Sequence, residues 1–305
     1  MPAPSERLLR GAIDIHAHAY PEYTLALRPR QDNYDWALLA KEYGMRGIML
    51  KSHVWPTMAQ VYDLSKLVEG IELYSSITLN YTAGGLSPVA VALAGEMGAK
   101  AVFMPTWSAK NDIERSGVMA ARIRKVCPLL DDLLKANGGG ITVLDHRGKV
   151  KPEVLDILDI IKTYDMYLES GHLHISEGLR LAEACAVKGV RFSLTHPHNT
   201  TVGATAEQQK EVADMGGYIE HTYIACMPLH LRVNPRDIAK SIRLAGVAKT
   251  IFTTDSINAF NPPEPELMRM VIETLLHLEF SEAEISKMVR ENPAEILRLP
   301  PDPGM

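Results

Sequence analysis

Ala12-Ile13-Asp14-Ile15-His16-Ala17-His18 sets two histidines one residue apart at the end of a short apolar run. Successive side chains of an extended strand point to opposite faces. Strict alternation therefore gives Asp14, His16 and His18 one face and Ile13, Ile15 and Ala17 the other, and the two imidazoles converge. Imidazole is the commonest metal-ligating side chain, but a short strand also carries polar residues on a wet face. Whether ligands arrive from later strands decides between the two readings.

Seven more runs of strand length follow, at Arg46 to His53, Ile71 to Leu79, Ala99 to Thr106, Asp165 to His172, Val190 to His196, Gly216 to Thr222 and Lys249 to Asp255. Between them lie segments with apolar residues at helical spacing, such as Trp36 to Ala40, Val61 to Val68, Ile175 to Val187 and Ile238 to Leu244. Gly44, Gly70, Gly98, Gly189 and Gly246 stand just before strands, where a helix takes its left-handed cap. Strand and helix in alternation predict βα units around a parallel sheet. Eight such units in 305 residues predict a closed (β/α)8 TIM barrel. No Gly-x-Gly-x-x-Gly follows the first strand, which disfavours a doubly wound nucleotide-binding sheet.

One interval is too long for a single crossover. From about 108 to 163 the sequence predicts an insertion between strands four and five: a helix over Val118 to Lys135, a Gly138-Gly139-Gly140 break, a β-hairpin over Ile141 to Val150 turning at Asp145-His146-Arg147-Gly148, and a helix from Pro152. Extra helices follow the eighth unit, the last opening with Asn292 as cap and Pro293 at the first helical position. The end, Pro301 to Met305, is expected to fray. Without a Pro/Gly/Ser-rich linker, residues 1–305 read as a single barrel domain.

Composition narrows the class. With 46% hydrophobic and 23% charged residues and a net charge of −5, the chain is ordinary globular material. It lacks the basic stripe of nucleic-acid binders. No apolar run is long enough to span a membrane, and no signal core opens the chain, so a cytoplasmic protein is expected. Cys127, Cys185 and Cys226 are far apart and form no Cys-x-x-Cys motif, so neither a disulfide framework nor a thiolate zinc site is suggested.

In such barrels the chemistry sits at the carboxyl ends of the strands. Seven of the eleven histidines, His16, His18, His53, His172, His174, His196 and His198, lie at the ends of strands one, two, five and six, and Asp255 ends strand eight. His16, His18, His172, His196 and Asp255 together make a nitrogen-rich donor set with one carboxylate, suited to Zn(II) or a similar divalent ion. An ion with an open position lowers the pKa of its water to about 7, and Asp255 is placed to take that water's proton and deliver it to a leaving group.

The Asp-x-His-x-His start, the histidines ending strands five and six, the aspartate ending strand eight and the late Asn-Pro-Ala-x-x-Leu helix resemble the amidohydrolase superfamily of metal-dependent barrel hydrolases. The resemblance implies His16 and His18 as ligands, completed by His172 and Asp255, with His196 on a second metal or polarising the substrate. Two-metal members carry a bridging lysine or glutamate at the end of strand four. Here that strand reads Val102-Phe103-Met104-Pro105-Thr106, so one ion is expected, with Lys51 on strand two as the bridge if there are two. Lys51 reads otherwise as a solvated or substrate-facing lysine.

Several positions stay open. His172 and His174 share parity; His172 is taken as the ligand because it finishes the strand. His53, ending strand two, is a candidate bridging or substrate-binding group, His198 reads as a loop group near substrate, and one of Glu220 and His221 faces the site. Asp14 either orients His16 or caps a buried polar network. His146 and His277 read as solvent-facing, and His230, Arg115, Arg122 and Arg232 as loop residues, the arginines within reach of an anionic substrate. The expected function is hydrolysis of a C–N or C–O bond in a small molecule. Non-oxidative decarboxylation is the alternative, ahead of a phosphoesterase or a metal-binding barrel without catalysis. A homo-oligomer is the architectural expectation only.

Overall fold

Eight parallel strands stand side by side in chain order. They are β1 (Ile13–Ala17), β2 (Gly47–Leu50), β3 (Glu72–Thr78), β4 (Ala101–Phe103), β5 (Tyr167–Glu169), β6 (Phe192–Thr195), β7 (Tyr218–Thr222) and β8 (Thr250–Thr253). Each falls inside its predicted run. The computed structural model describes residues 3–25, 28, 30–115, 121, 123–125, 127–257 and 259–300. The seam between first and last strands is drawn together by backbone hydrogen bonds from Asp255 N to His16 O (2.7 Å) and from His18 N to Ser256 O (2.8 Å). Helices between the strands complete the (β/α)8 architecture.

Alternation along the strands sorts side chains into two layers. Ile13, Ile15, Met49, Tyr74, Phe103, Tyr167, Tyr218 and Ile251 fill the interior as one buried cluster. Their neighbours, among them Ile48, Leu50 and Phe252, or Val102, Leu168, Leu194 and Ile219, pack outward against the helices. Ile296 and Leu297 join the inner cluster, and Asn292 Nδ2 donates to Val247 O and Thr250 O at the start of β8, so the last helix plugs the amino-terminal end. Asn292 is not a helix cap. A π-turn over Lys287–Glu291 runs straight into the helix Asn292–Ile296, and the Asn292 amide is spent on the barrel floor.

β1 breaks the strict alternation. Its register with β2 passes from Asp14 opposite Ile48 to Ala17 opposite Leu50, three steps against two. Such a bulge reverses the facing of the residues beyond it. Ile15 consequently lies inside and Ala17 outside. His16 and His18 enter the barrel while Asp14 faces away from them, accepting from Thr254 Oγ1 (2.6 Å) and the His16 backbone N–H (3.1 Å). Asp14 thus caps a buried polar network and does not touch the His16 ring. Burial raises its carboxyl to about 6.

Of the expected insertion, the helices Lys110–Arg115, Leu130–Ala136 and Pro152–Thr163 are described. In the helix predicted over Val118 to Lys135, residues 118–120, Arg122 and 126 lie outside the described residues, as do Pro301 to Met305. The predicted hairpin shrinks to one antiparallel bridge, Leu144 with Val150, around the turn at Asp145. Its chain pairs elsewhere, Ile141 bridging in parallel to Ala109. Among the described residues no helix is long and apolar enough to cross a membrane.

Gly171 connects β5 to His172 at φ +61, and a Cβ there would meet Met104 O at 2.3 Å. Only glycine passes this point without moving the end of β4. Gly171→Ala is expected to cost about 2–4 kcal/mol in equilibrium denaturation. A loss below 1 kcal/mol, on the order of a surface change, would show that the backbone gives way there.

Candidate metal centre

The bulge delivers two imidazoles to one carboxylate. His16 Nε2 lies 3.2 Å and His18 Nε2 3.4 Å from Asp255 Oδ1, with the two rings 67° apart in plane. Metal–ligand bonds of about 2.0–2.1 Å in a tetrahedron place donors about 3.3 Å from one another. Both distances to Asp255 have that spacing, and the three ligand atoms lie within 4.8 Å of one another. His18 Nε2 is buried without a hydrogen-bond partner, as an unfilled ligand atom would be. Lys51 Nζ, 2.6 Å from His16 Nε2 and 4.5 Å from the Phe103 ring centroid, aims a cationic group at the same position. These residues fit a divalent cation.

Each imidazole of the trio is backed by a carboxylate at its other nitrogen. Glu220 lies 3.0 and 3.1 Å from His16 Nδ1, and Glu22 lies 3.4 Å from His18 Nδ1. Carboxylates in this position fix ring orientation and raise ligand basicity. Glu220 is held in turn by Thr253 Oγ1 (2.9 Å) and lies against Glu169, which accepts from Thr195 Oγ1 (2.7 Å). Because both acids sit above the apolar interior, burial pushes Glu220 up to about 8 and Glu169 well above the carboxylate range. Burial lowers Lys51 for the converse reason, against the pull of Asp255 and Glu220. Burial would also raise Asp255, but His16 and His18 outweigh it and hold that carboxyl well below its usual range.

Glu22, His18 and His53 form a second cluster with ligand atoms within 4.8 Å of one another. Geometry argues against an ion there. An imidazole binds metal in its ring plane, and His18 and His53 stack nearly parallel, 13° apart with centroids at 4.1 Å. No point about 2 Å from a nitrogen of each lies in both planes. Glu22 acts instead as a strut, accepting from the His53 backbone N–H (2.7 Å) and lying 2.5 Å from His53 Nδ1.

The remaining residues divide between the site and elsewhere. His172 and His196 face the same hollow with rings 4.9 Å apart, His196 being 5.9 Å from His16. Burial, then His172, keeps His196 well below the usual histidine range, hence neutral. His196 (φ +32) and Asp255 (φ +49) hold strained left-handed backbones, as residues aimed by function often do. His174 leaves the site to cap the helix Ile175–Lys188, accepting from Ser176 N. His221 faces outward on β7, against Phe252 and the ring of His198, so neither reaches the trio and Glu220 is the inward member of its pair. His146, His277 and Arg115 are exposed, and Arg232 donates to Pro228 O.

A cavity of about 230 Å³ opens above, bordered by His53, His172, His196 and Asp255, with Leu229 and His230 on its wall. Asp255 is 17% exposed, more open than the imidazoles it joins, and faces the cavity. Three acids here were not read from the sequence. Glu22 follows His18 by four in a loop, Glu169 alternates with inward Tyr167, and Asp112, 3.6 Å from His172 Nδ1, comes from the helix after β4. Only Glu169 had a legible signal, its parity. Glu220→Gln is expected to weaken metal affinity about 10–100-fold by competitive chelator titration. Unchanged affinity would remove Glu220 from the ligand's support.

Residues 11–220 match a sequence family described as a family of unknown function, DUF6282. No curated protein sequence matches the chain. Among solved structures, an amidohydrolase from Pseudomonas aeruginosa superposes with a TM-score of 0.65 at 13% identity, over 97% of this chain and 98% of that one. The probable dipeptidase PvdM from the same organism gives 0.58 at 11%, over 96% of each chain. The organophosphorus hydrolase from Deinococcus radiodurans gives 0.57 at 12%, over 96% and 93%. At such identities the likeness is one of fold, and it is the fold of the superfamily that the strand-end pattern resembles.

Proposed function

The chain belongs to the DUF6282 family, and on its amidohydrolase-type barrel we propose a metal-dependent hydrolase that cleaves a C–N or C–O bond of a small amide, lactone or ester. The observation that carries the reading is the spacing of His16 Nε2, His18 Nε2 and Asp255 Oδ1, beside a cavity that Asp255 borders. Two imidazoles and a carboxylate suit zinc. One ion is the proposed load, because the other histidine cluster is stacked and strand four ends without a donor.

A cation bound here supplies a Lewis acid that lowers the pKa of water to about 7. The chain's own residues do the rest. His16 and His18 are held in orientation by Glu220 and Glu22. Asp255, ionised, accepts a proton from the attacking water and returns it to the departing nitrogen or oxygen. His172 lies outside the ligand-atom cluster of the trio and lines the cavity, where neutral His196 beside it polarises the substrate carbonyl. Lys51 Nζ sets a hydrogen-bonding group 2.6 Å from His16 Nε2.

The test is a panel of uncharged esters, lactones and amides set against aromatic acids. Zinc-dependent release of acid with alcohol or amine supports the proposal. Release of carbon dioxide from the acids, with none of the esters or amides turned over, would make the chain a decarboxylase.

A further inference from the structure

A second cavity, about 440 Å³, is walled by Tyr23, Trp107, Ile123, Leu130, Leu133 and Leu134, and two of these, Tyr23 and Trp107, touch His53. Trp107, Ile123, Leu130 and Leu134 form a buried apolar cluster separate from the barrel core, built largely by the segment between β4 and β5. His53 ties the two cavities together. Its ring borders the smaller one, its carbonyl accepts from Trp107 Nε1 (2.9 Å), and its Nδ1 lies 3.3 Å from the Tyr23 hydroxyl.

The polar atoms of this aromatic wall are already engaged. Trp107 spends its N–H on His53, and Tyr81, also lining the cavity, donates its hydroxyl to Asn137 O (2.9 Å). The walls present mostly ring and alkyl surface, with Thr24, Thr82 and Asn137 as the polar remainder. Aromatic walls favour an aromatic guest through offset and edge-to-face contacts. A cavity of about 150 Å³ already holds benzene, so this one has room for a fused bicyclic group.

We propose that this cavity receives an aryl group of the substrate while the bond to be cleaved sits over the trio of His16, His18 and Asp255; the assignment rests on the hydrolase reading. Cys127 lines the cavity and reports on it without turnover. In metal-free protein, the uncharged ketone acetonaphthone is expected to slow Cys127 alkylation several-fold, mapped by mass spectrometry. Leu133→Asp, a change at a half-exposed wall position, is expected to abolish that protection.

With zinc bound, the methyl ester of naphthylpropanoic acid is expected to exceed that of butanoic acid in kcat/KM by at least about tenfold, since even small apolar groups discriminate at that level. In Leu133→Asp the ratio is expected to fall toward one. Cys127 alkylation unaffected by acetonaphthone would overturn the proposal. Protection with equal kcat/KM for the two esters would overturn the assignment to substrate. If neither ester is turned over although Cys127 is protected, the hydrolase reading fails and the substrate assignment with it.

Discussion

Replacing His16 and His18 together by alanine is expected to leave the purified chain unable to retain a stoichiometric divalent ion. Loss of a carboxylate that only supports a ligand costs about 10–100-fold in affinity. Removing two direct donors costs more, because Asp255 would be left alone at a position where both its close neighbours were imidazoles. The fold has reason to survive. The seam at these positions is made by backbone groups, His16 O and His18 N, which alanine keeps. Elemental analysis after dialysis against trace zinc, with circular dichroism as the folding control, reads the result. Full metal content in the folded double variant would place the ion elsewhere.

Asp255→Asn separates holding the ion from moving the proton. Asparagine keeps an oxygen near His16 and His18 but can no longer carry a proton away from water at neutral pH. Turnover at saturating zinc is expected to fall by about 10²–10⁴, the usual share of a positioned proton-transfer group. The left-handed backbone at residue 255 favours the substitution structurally, since asparagine tolerates that region well. A variant within tenfold of the parent, on the order of 1.4 kcal/mol, would assign proton transfer to another group.

The barrel was legible because two periodicities alternate eight times and each strand run ends in turn or loop chemistry. The convergence of His16, His18, His196, His172 and Asp255 on one end followed from that topology. The sequence reading went astray where local geometry departs from ideal strands. Parity put Asp14 beside the histidines, and one bulged residue reverses it. Parity could not choose between His172 and His174; Gly171 turns His172 inward and leaves His174 to start a helix. Glu22 was invisible because nothing in a loop's sequence tells which side chain folds back across two histidine rings. The hairpin keeps only the Leu144–Val150 bridge, because Ile141 at its start pairs with Ala109.

The trio of His16, His18 and Asp255 is the centre of this reading, and anomalous diffraction from crystals grown with zinc tests it most directly. One strong peak is expected, within about 2.0–2.2 Å of His16 Nε2, His18 Nε2 and an Asp255 oxygen. A peak between Glu22 and His53, or no peak among these residues at all, would show that the spacing of the trio serves something other than a metal ion.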